Sequence, residues 1–216
     1  ADKPTISFHV DAVQALAKIP TEKYLTERVD FATFSGHKFH GVRGVGFVYI
    51  KSGKKITPLL TGGGQERDYR STTENVAGIA ATAKALRLSM EKLDIFTSKT
   101  GQMKAVIRQA LLDYPDIFVF SDEEDFAPHI LTFGIKGVRG EVIVHAFEDY
   151  DIFISTTSAC SSKAGKPAGT LIAIGVDKNK AQSAVRLSLD LENDMSQVEQ
   201  FLTKLKLIYN QTRKVR

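Results

Sequence analysis

Ser35-Gly36-His37-Lys38-Phe39-His40-Gly41 places an amine just after a short apolar run, Phe31 to Phe34, with a hydroxyl and an imidazole beside it and a glycine near either end. Read for structure alone, the segment is a polar turn joining two strands. Read for chemistry, it offers a primary amine that can condense with a carbonyl, next to hydroxyl and imidazole donors suited to a phosphate. Upstream, Asp11-Ala12-Val13-Gln14 follows the strand-like run Ile6 to Val10. An isolated Asp after a strand is commonly a turn former or an N-cap. It also suits the protonated nitrogen of an electron-withdrawing ring, and Gln14 could donate to a phenolic oxygen on that ring. The two segments together are far more specific than either alone.

The elements that must position these groups can be read along the chain. The 216 residues are 43% hydrophobic and 25% charged, enough apolar material for one sizeable core or two small ones. Strand-like runs at 6–10, 31–34 and 46–50 come first, with an amphipathic stretch at 19–29 between the first two. Thr61 to Thr73 is rich in glycine, charge and hydroxyls without a hydrophobic period, and loops of this length tend to be functional. Apolar spacing then predicts helices over 74–90, 98–112, 141–148, 178–184 and 196–212, and strands over 117–120, 130–135, 152–155 and 185–189. Strands alternating with helices indicate an α/β protein. The change of texture near Glu74 suggests two domains, 1–75 and 76–216, the second including the long connecting helix.

Composition also excludes. No apolar run is long enough to span a bilayer, and Ala1-Asp2-Lys3-Pro4 lacks a secretory pattern. The single cysteine, Cys160, rules out a disulfide within the chain and suits a reducing compartment, so a cytoplasmic location is expected. The net charge of +4 is mild and the basic residues are scattered apart from the tail at 213–216. No aromatic stripe interleaves with them, so direct nucleic-acid binding is not expected. The histidines show no metal-ligand spacing, and no metal is expected.

Several segments, in order, closely resemble the NifS/IscS-type cysteine desulfurases, members of the class V aminotransferase group of fold type I enzymes that use pyridoxal 5'-phosphate (PLP). They are His9 to Gln14, Ser35 to Gly41, Gly62-Gly63-Gly64-Gln65-Glu66-Arg67, Arg70 to Asn75, Ser158-Ala159-Cys160-Ser161-Ser162 and Val185-Arg186-Leu187-Ser188. The resemblance implies the C-terminal part of that fold: the second half of the large domain plus a small α/β domain. It also implies roles. Lys38 would be the Schiff-base lysine, Asp11 the partner of the pyridine nitrogen, and Gln14 the donor to the phenolic oxygen. Ser35 and His37 would hold the phosphate, and Thr73 would reach the phosphate in the other subunit of a homodimer. Arg186 would clamp the carboxylate of substrate L-cysteine, its planar fork matching a carboxylate at two points.

Cys160 decides which reaction is expected. A lone cysteine is usually a buried, inert thiol. Here the stretch Ser155 to Gly169 is nearly all Ser, Thr, Ala, Gly and Lys, so it is expected to be exposed and mobile, with Lys163 and Lys166 favouring the thiolate. The resemblance makes Cys160 the nucleophile that takes sulfur as a persulfide for acceptor proteins such as iron–sulfur scaffolds or tRNA thiolation enzymes. Three departures stand out: the family's first half is absent, Thr72 replaces a usual glycine, and Ser155-Thr156-Thr157 precede Ser158 where a glycine is more common. The chain is therefore expected to be a fragment that is inactive alone. A selenocysteine lyase, a class V aminotransferase and a non-catalytic docking fragment are the rival readings.

Overall fold

The computed structural model describes residues 6–121, 126–156 and 169–214. The chain forms two compact units, Ala1–Asp94 and Ile95–Arg216. The first unit holds β1 (His9–Asp11), β2 (Phe31–Ser35), β3 (Gly46–Ile50) and α1 (Val76–Met90). The connecting helix thus lies in the first of these compact units. The reason is packing: Ala85 and Leu86 of α1 lie against the core of Ala12, Leu16, Ala17, Val29, Ala32, Phe34 and Phe39.

In the first unit the strands are ordered β1-β2-β3, with β1 parallel to β2 and β3 antiparallel to it. β1 is shorter than its apolar run because the backbone of Phe8 is engaged elsewhere. Its carbonyl accepts from the N–H groups of Asp30 and Phe31, and its own N–H donates to the Asp30 carboxylate at 2.9 Å. The amphipathic stretch at 19–29 forms only a 3-10 turn, Thr21–Lys23. Pro20 stands directly before that turn, and proline cannot extend a preceding run of helical hydrogen bonds.

Asp30 ties the base of this sheet together. Beyond Phe8, its carboxylate pairs with Arg28 and Lys54, each at 3.2 Å, while its side chain is only 6% exposed. The Phe8 N–H, assisted by the Lys54 and Arg28 charges, outweighs burial and holds the carboxyl below its ordinary 3.8. A depressed carboxylate stabilises the fold fully above its unfolded pKa and loses that contribution as pH falls through the folded one. Asp30→Asn is therefore expected to lower the urea midpoint at pH 7 while weakening the further drop on acidification below pH 4. Parallel acid slopes for both proteins would remove Asp30 from this role.

The second unit holds α2 (Leu93–Leu112, its first two residues preceding the division), β4 (Ile117–Val119), β5 (Ile130–Ile135), α3 (Gly140–Glu148), β6 (Ser155–Thr156), α4 (Gly169–Ala173), α5 (Lys178–Gln182), β7 (Ala184–Ser188) and α6 (Met195–Lys214). Its four strands form an antiparallel sheet in the order β4-β5-β7-β6. Phe96, Thr100, Met103, Ile107 and Leu111 of α2 recur every three or four residues and are all buried, as one apolar helix face requires. Of these, Met103, Ile107 and Leu111 meet Leu131, Phe133 and Ile135 of β5, Ile143 and Phe147 of α3, and Phe201, Leu205 and Ile208 of α6 in one core.

α6 starts on a reciprocal cap. Asp194 Oδ1 accepts from the N–H of Gln197 at 3.0 Å, and Gln197 Oε1 accepts from the N–H of Asp194 at 3.2 Å. Two N–H groups that a helix start leaves unpaired are satisfied in this way. Among the described residues no helix is long and apolar enough to cross a membrane.

Candidate active site

Asp11 ends β1 and Ser35 ends β2, and these neighbouring strands run parallel, so both residues lie at the same carboxyl edge. That edge is where open α/β sheets place their ligands. Asp11 pairs in register with Thr33, two residues before Ser35. Side chains alternate along a strand, so Asp11, Thr33 and Ser35 share one face. Ala32 and Phe34 take the other face and are buried in the core. The alternation of β2 therefore separates a polar, chemical face from a packed one.

Asp11 is exposed, and its carboxylate shapes the turn that follows. Oδ1 accepts from the Val13 N–H at 3.1 Å, while the Ala12 N–H bonds to the Thr33 carbonyl at 3.1 Å. Oδ2 has no partner among the described residues, so one carboxylate oxygen is free for a ligand. Gln14 lies in the same turn with its side chain exposed.

Immediately after Ser35 the chain enters a 3-10 turn, Gly36–Phe39, that carries His37 and Lys38. Ser35 Oγ and His37 Nδ1 lie 2.9 Å apart in a hydrogen bond. Lys38 is half-buried, and its amine has no hydrogen-bond or ion-pair partner among the described residues. Phe39 is 1% exposed and anchors the turn in the core. His40 adopts a left-handed backbone (φ 66°) and closes the turn by donating its N–H to the Gly36 carbonyl.

Gly36 is required here by space. A Cβ at this position would stand 2.9 Å from Thr82 Cγ2 on α1 and 3.0 Å from the Val45 carbonyl oxygen. Gly36→Ala is expected to cost about 1–3 kcal/mol, the range for an overpacked methyl group. Differential scanning fluorimetry checks this, and unchanged melting would mean that the contact yields freely.

Thr73 is exposed and lies two residues before Asn75, the N-cap of α1, whose side chain accepts from the Gly78 N–H at 3.0 Å. The glycine-rich loop ahead of it holds three successive non-glycine residues in the left-handed region, Glu66, Arg67 and Asp68, with φ of 51°, 56° and 66°. Each such residue costs of order 1–2 kcal/mol, so the loop is a held conformation and not a plain flexible turn.

Arg186 belongs to the second unit. It lies in β7, paired in register with Thr132 of β5 and Ser155 of β6. Its Nε is buried without a hydrogen-bond partner among the described residues. A buried donor left unpaired is costly, and a carboxylate would satisfy it. Cys160, with Lys163 and Lys166, lies outside the described residues, as does most of the Ser155 to Gly169 stretch.

The structure thus brings Asp11, Gln14, Ser35, His37 and Lys38 into one unit, the first four on or beside the carboxyl edge and Lys38 in the turn leaving it. A recess of about 880 Å³ in that unit lies elsewhere, between β3, α1 and residues 66–70, and none of these five residues lines it. Sequence reading missed the supports: Asp30 under the sheet, and Thr82 and Ser89 of α1 against the lysine turn. Only tertiary structure links these positions to the site, although Gly36 beside a candidate lysine was a sign that something packs close.

The sequence profile of the family described as "Aminotransferase class-V" matches residues 1–201. A relative from Lactobacillus delbrueckii subsp. bulgaricus, described as a "NifS/IcsS protein homolog", is 47% identical over 216 residues, 100% of this chain and 56% of the relative. A "Cysteine desulfurase" of Trichormus azollae is 36% identical over 196 residues, 90% of this chain and 49% of that protein. A solved structure described as "NIFS-LIKE PROTEIN" superposes with a TM-score of 0.84 at 35% identity, covering 96% of this chain and 53% of that one. The chain spans about half the length of the curated relatives it matches.

Proposed function

Because this chain belongs to the class-V aminotransferase family, we propose that it carries the lysine anchor and the sulfur-accepting cysteine of a PLP-dependent cysteine desulfurase. The observation that carries the reading is the arrangement of Asp11, Ser35, His37 and Lys38 at and just beyond the carboxyl ends of two adjacent parallel strands. The donor set fits the cofactor: a carboxylate with one free oxygen for a ring N–H, a hydroxyl and an imidazole for a phosphate, and an unpaired amine for the aldehyde. When bound, PLP supplies an electron sink that stabilises negative charge at the substrate Cα.

The chain's own groups do the rest. Asp11 keeps the ring nitrogen protonated, and Gln14 donates to the phenolic oxygen. Ser35 and His37 hold the phosphate, joined by Thr73 from the other subunit of a homodimer. The Arg186 guanidinium, with its unpaired Nε, orients the carboxylate of L-cysteine. Lys38 would hold the aldehyde of the cofactor, and its amine would take the proton from Cα. The Cys160 thiolate attacks the substrate sulfur, so an S–S bond forms and the Cβ–S bond breaks. The electron pair stays on the carbon skeleton, which is protonated to L-alanine, and Cys160 keeps a persulfide. Acceptor proteins in the cytoplasm, an iron–sulfur scaffold or a tRNA thiolation enzyme, would then take that sulfur. The activity is that of an enzyme of the relatives' full length, of which this chain spans about half.

The relatives named as cysteine desulfurases support the substrate. The test is stoichiometry: in the full-length protein without reductant, L-cysteine should yield one alanine per persulfide formed. Amino-group transfer to a keto acid without alanine or persulfide would sink the reading.

A further inference from the structure

The turn that bears Lys38 is gripped at both ends by one face of α1. At its start, Thr82 packs against Gly36, with its side chain where any Cβ would stand. At its end, Ser89 Oγ donates to the Phe39 carbonyl at 3.1 Å across fifty residues of sequence. Thr82 and Ser89 are two helical turns apart and so share a face, and Ala85 and Leu86 between them pack on the core beneath the turn. A serine inside a helix ordinarily bonds back to a carbonyl of its own helix. Ser89 instead gives its hydroxyl to the peptide just past Lys38.

The turn's own hydrogen bonds converge on its other end, where the Gly36 carbonyl accepts from the N–H groups of His40 and Gly41. Ser89 therefore supplies a restraint at Phe39 that those bonds do not reach. We propose that Ser89 is a positioning residue, which sets the reach of the Lys38 amine by fixing the Phe39 peptide. This rests on Lys38 being the cofactor lysine. Small displacements of a reacting group carry large rate penalties, so one hydrogen bond remote from the chemistry has leverage here.

The test compares Ser89→Ala and Ser89→Thr in the full-length protein. Hydrogen–deuterium exchange on the cofactor-free form reads the turn directly. Borohydride trapping of added PLP, followed by peptide mapping, reads Lys38. Ser89→Ala should speed exchange of the His40 and Gly41 amides about fivefold, the scale of one neutral hydrogen bond, leave the middle of α1 unchanged, and slow trapping at Lys38. Ser89→Thr keeps the hydroxyl and should restore both. Unchanged exchange at His40 and Gly41, or equal acceleration along all of α1, overturns the proposal even if trapping stays at Lys38. Faster exchange confined to the turn, with PLP trapped at a different lysine, supports the clamp and removes the cofactor reading instead.

Discussion

Lys38→Ala is expected to reduce alanine formation from L-cysteine by on the order of 10²–10⁴-fold, the range for a lost general acid–base group, and to abolish the visible absorbance of lysine-bound PLP. The argument rests on what Lys38 does not do. Its half-buried amine has no ion pair or hydrogen bond among the described residues, and the core contact of its turn is made by Phe39. Removing it should change stability by no more than about 0.5 kcal/mol, as at sites without a packing or pairing role. A large loss of activity with an unmoved melting temperature therefore assigns Lys38 to chemistry. Lys38→Arg sharpens the point: it keeps the charge, but a guanidinium does not give up its proton in proteins. It should be as inactive as the alanine variant. Activity in the arginine variant within about threefold of the parent, well under the general-base range, would show that Lys38 acts only as a charge.

Cys160→Ser is expected to leave PLP loading and its absorbance intact and to lower persulfide formation by at least ~10³-fold, the scale of a removed nucleophile. Serine preserves size and hydrogen bonding, but its hydroxyl is a far weaker nucleophile than a thiolate at neutral pH. Because residues 1–216 hold one cysteine, a mass gain of one sulfur atom on the Cys160-bearing peptide after exposure of the full-length protein to L-cysteine reports on Cys160. Normal sulfur transfer by the serine variant would show that Cys160 is not the sulfur-accepting nucleophile. Loss of both cofactor loading and sulfur transfer would instead make Cys160 a structural residue.

Much of this architecture is legible in the sequence because it is periodic or motif-borne. The three-to-four-residue spacing of α2 and the alternation of β2 are patterns that burial imposes, and the structure keeps both. The α/β class and the NifS-like resemblance agree with the family match and the solved relative. The misreadings have local causes. Phe8 reads as strand, yet the buried carboxylate of Asp30 captures its N–H. The run 152–155 reads as strand, but α3 ends through Asp151 in a left-handed conformation, and the ladder begins only at Ser155. The helix Gly169–Ala173 begins where the polar stretch ends, in a segment for which the sequence pattern predicts no element. Candidate residues could be named from their motif, but their supports could not. Ser89 is an ordinary serine in a helical pattern until the fold brings it to Phe39.

The most direct measurement is borohydride reduction of the full-length protein loaded with PLP, followed by proteolysis and mass mapping of the pyridoxyl-lysine. The label is expected on Lys38 alone, lost in Lys38→Ala and retained in Cys160→Ser. A label on another lysine, or one that survives in Lys38→Ala, would contradict the account.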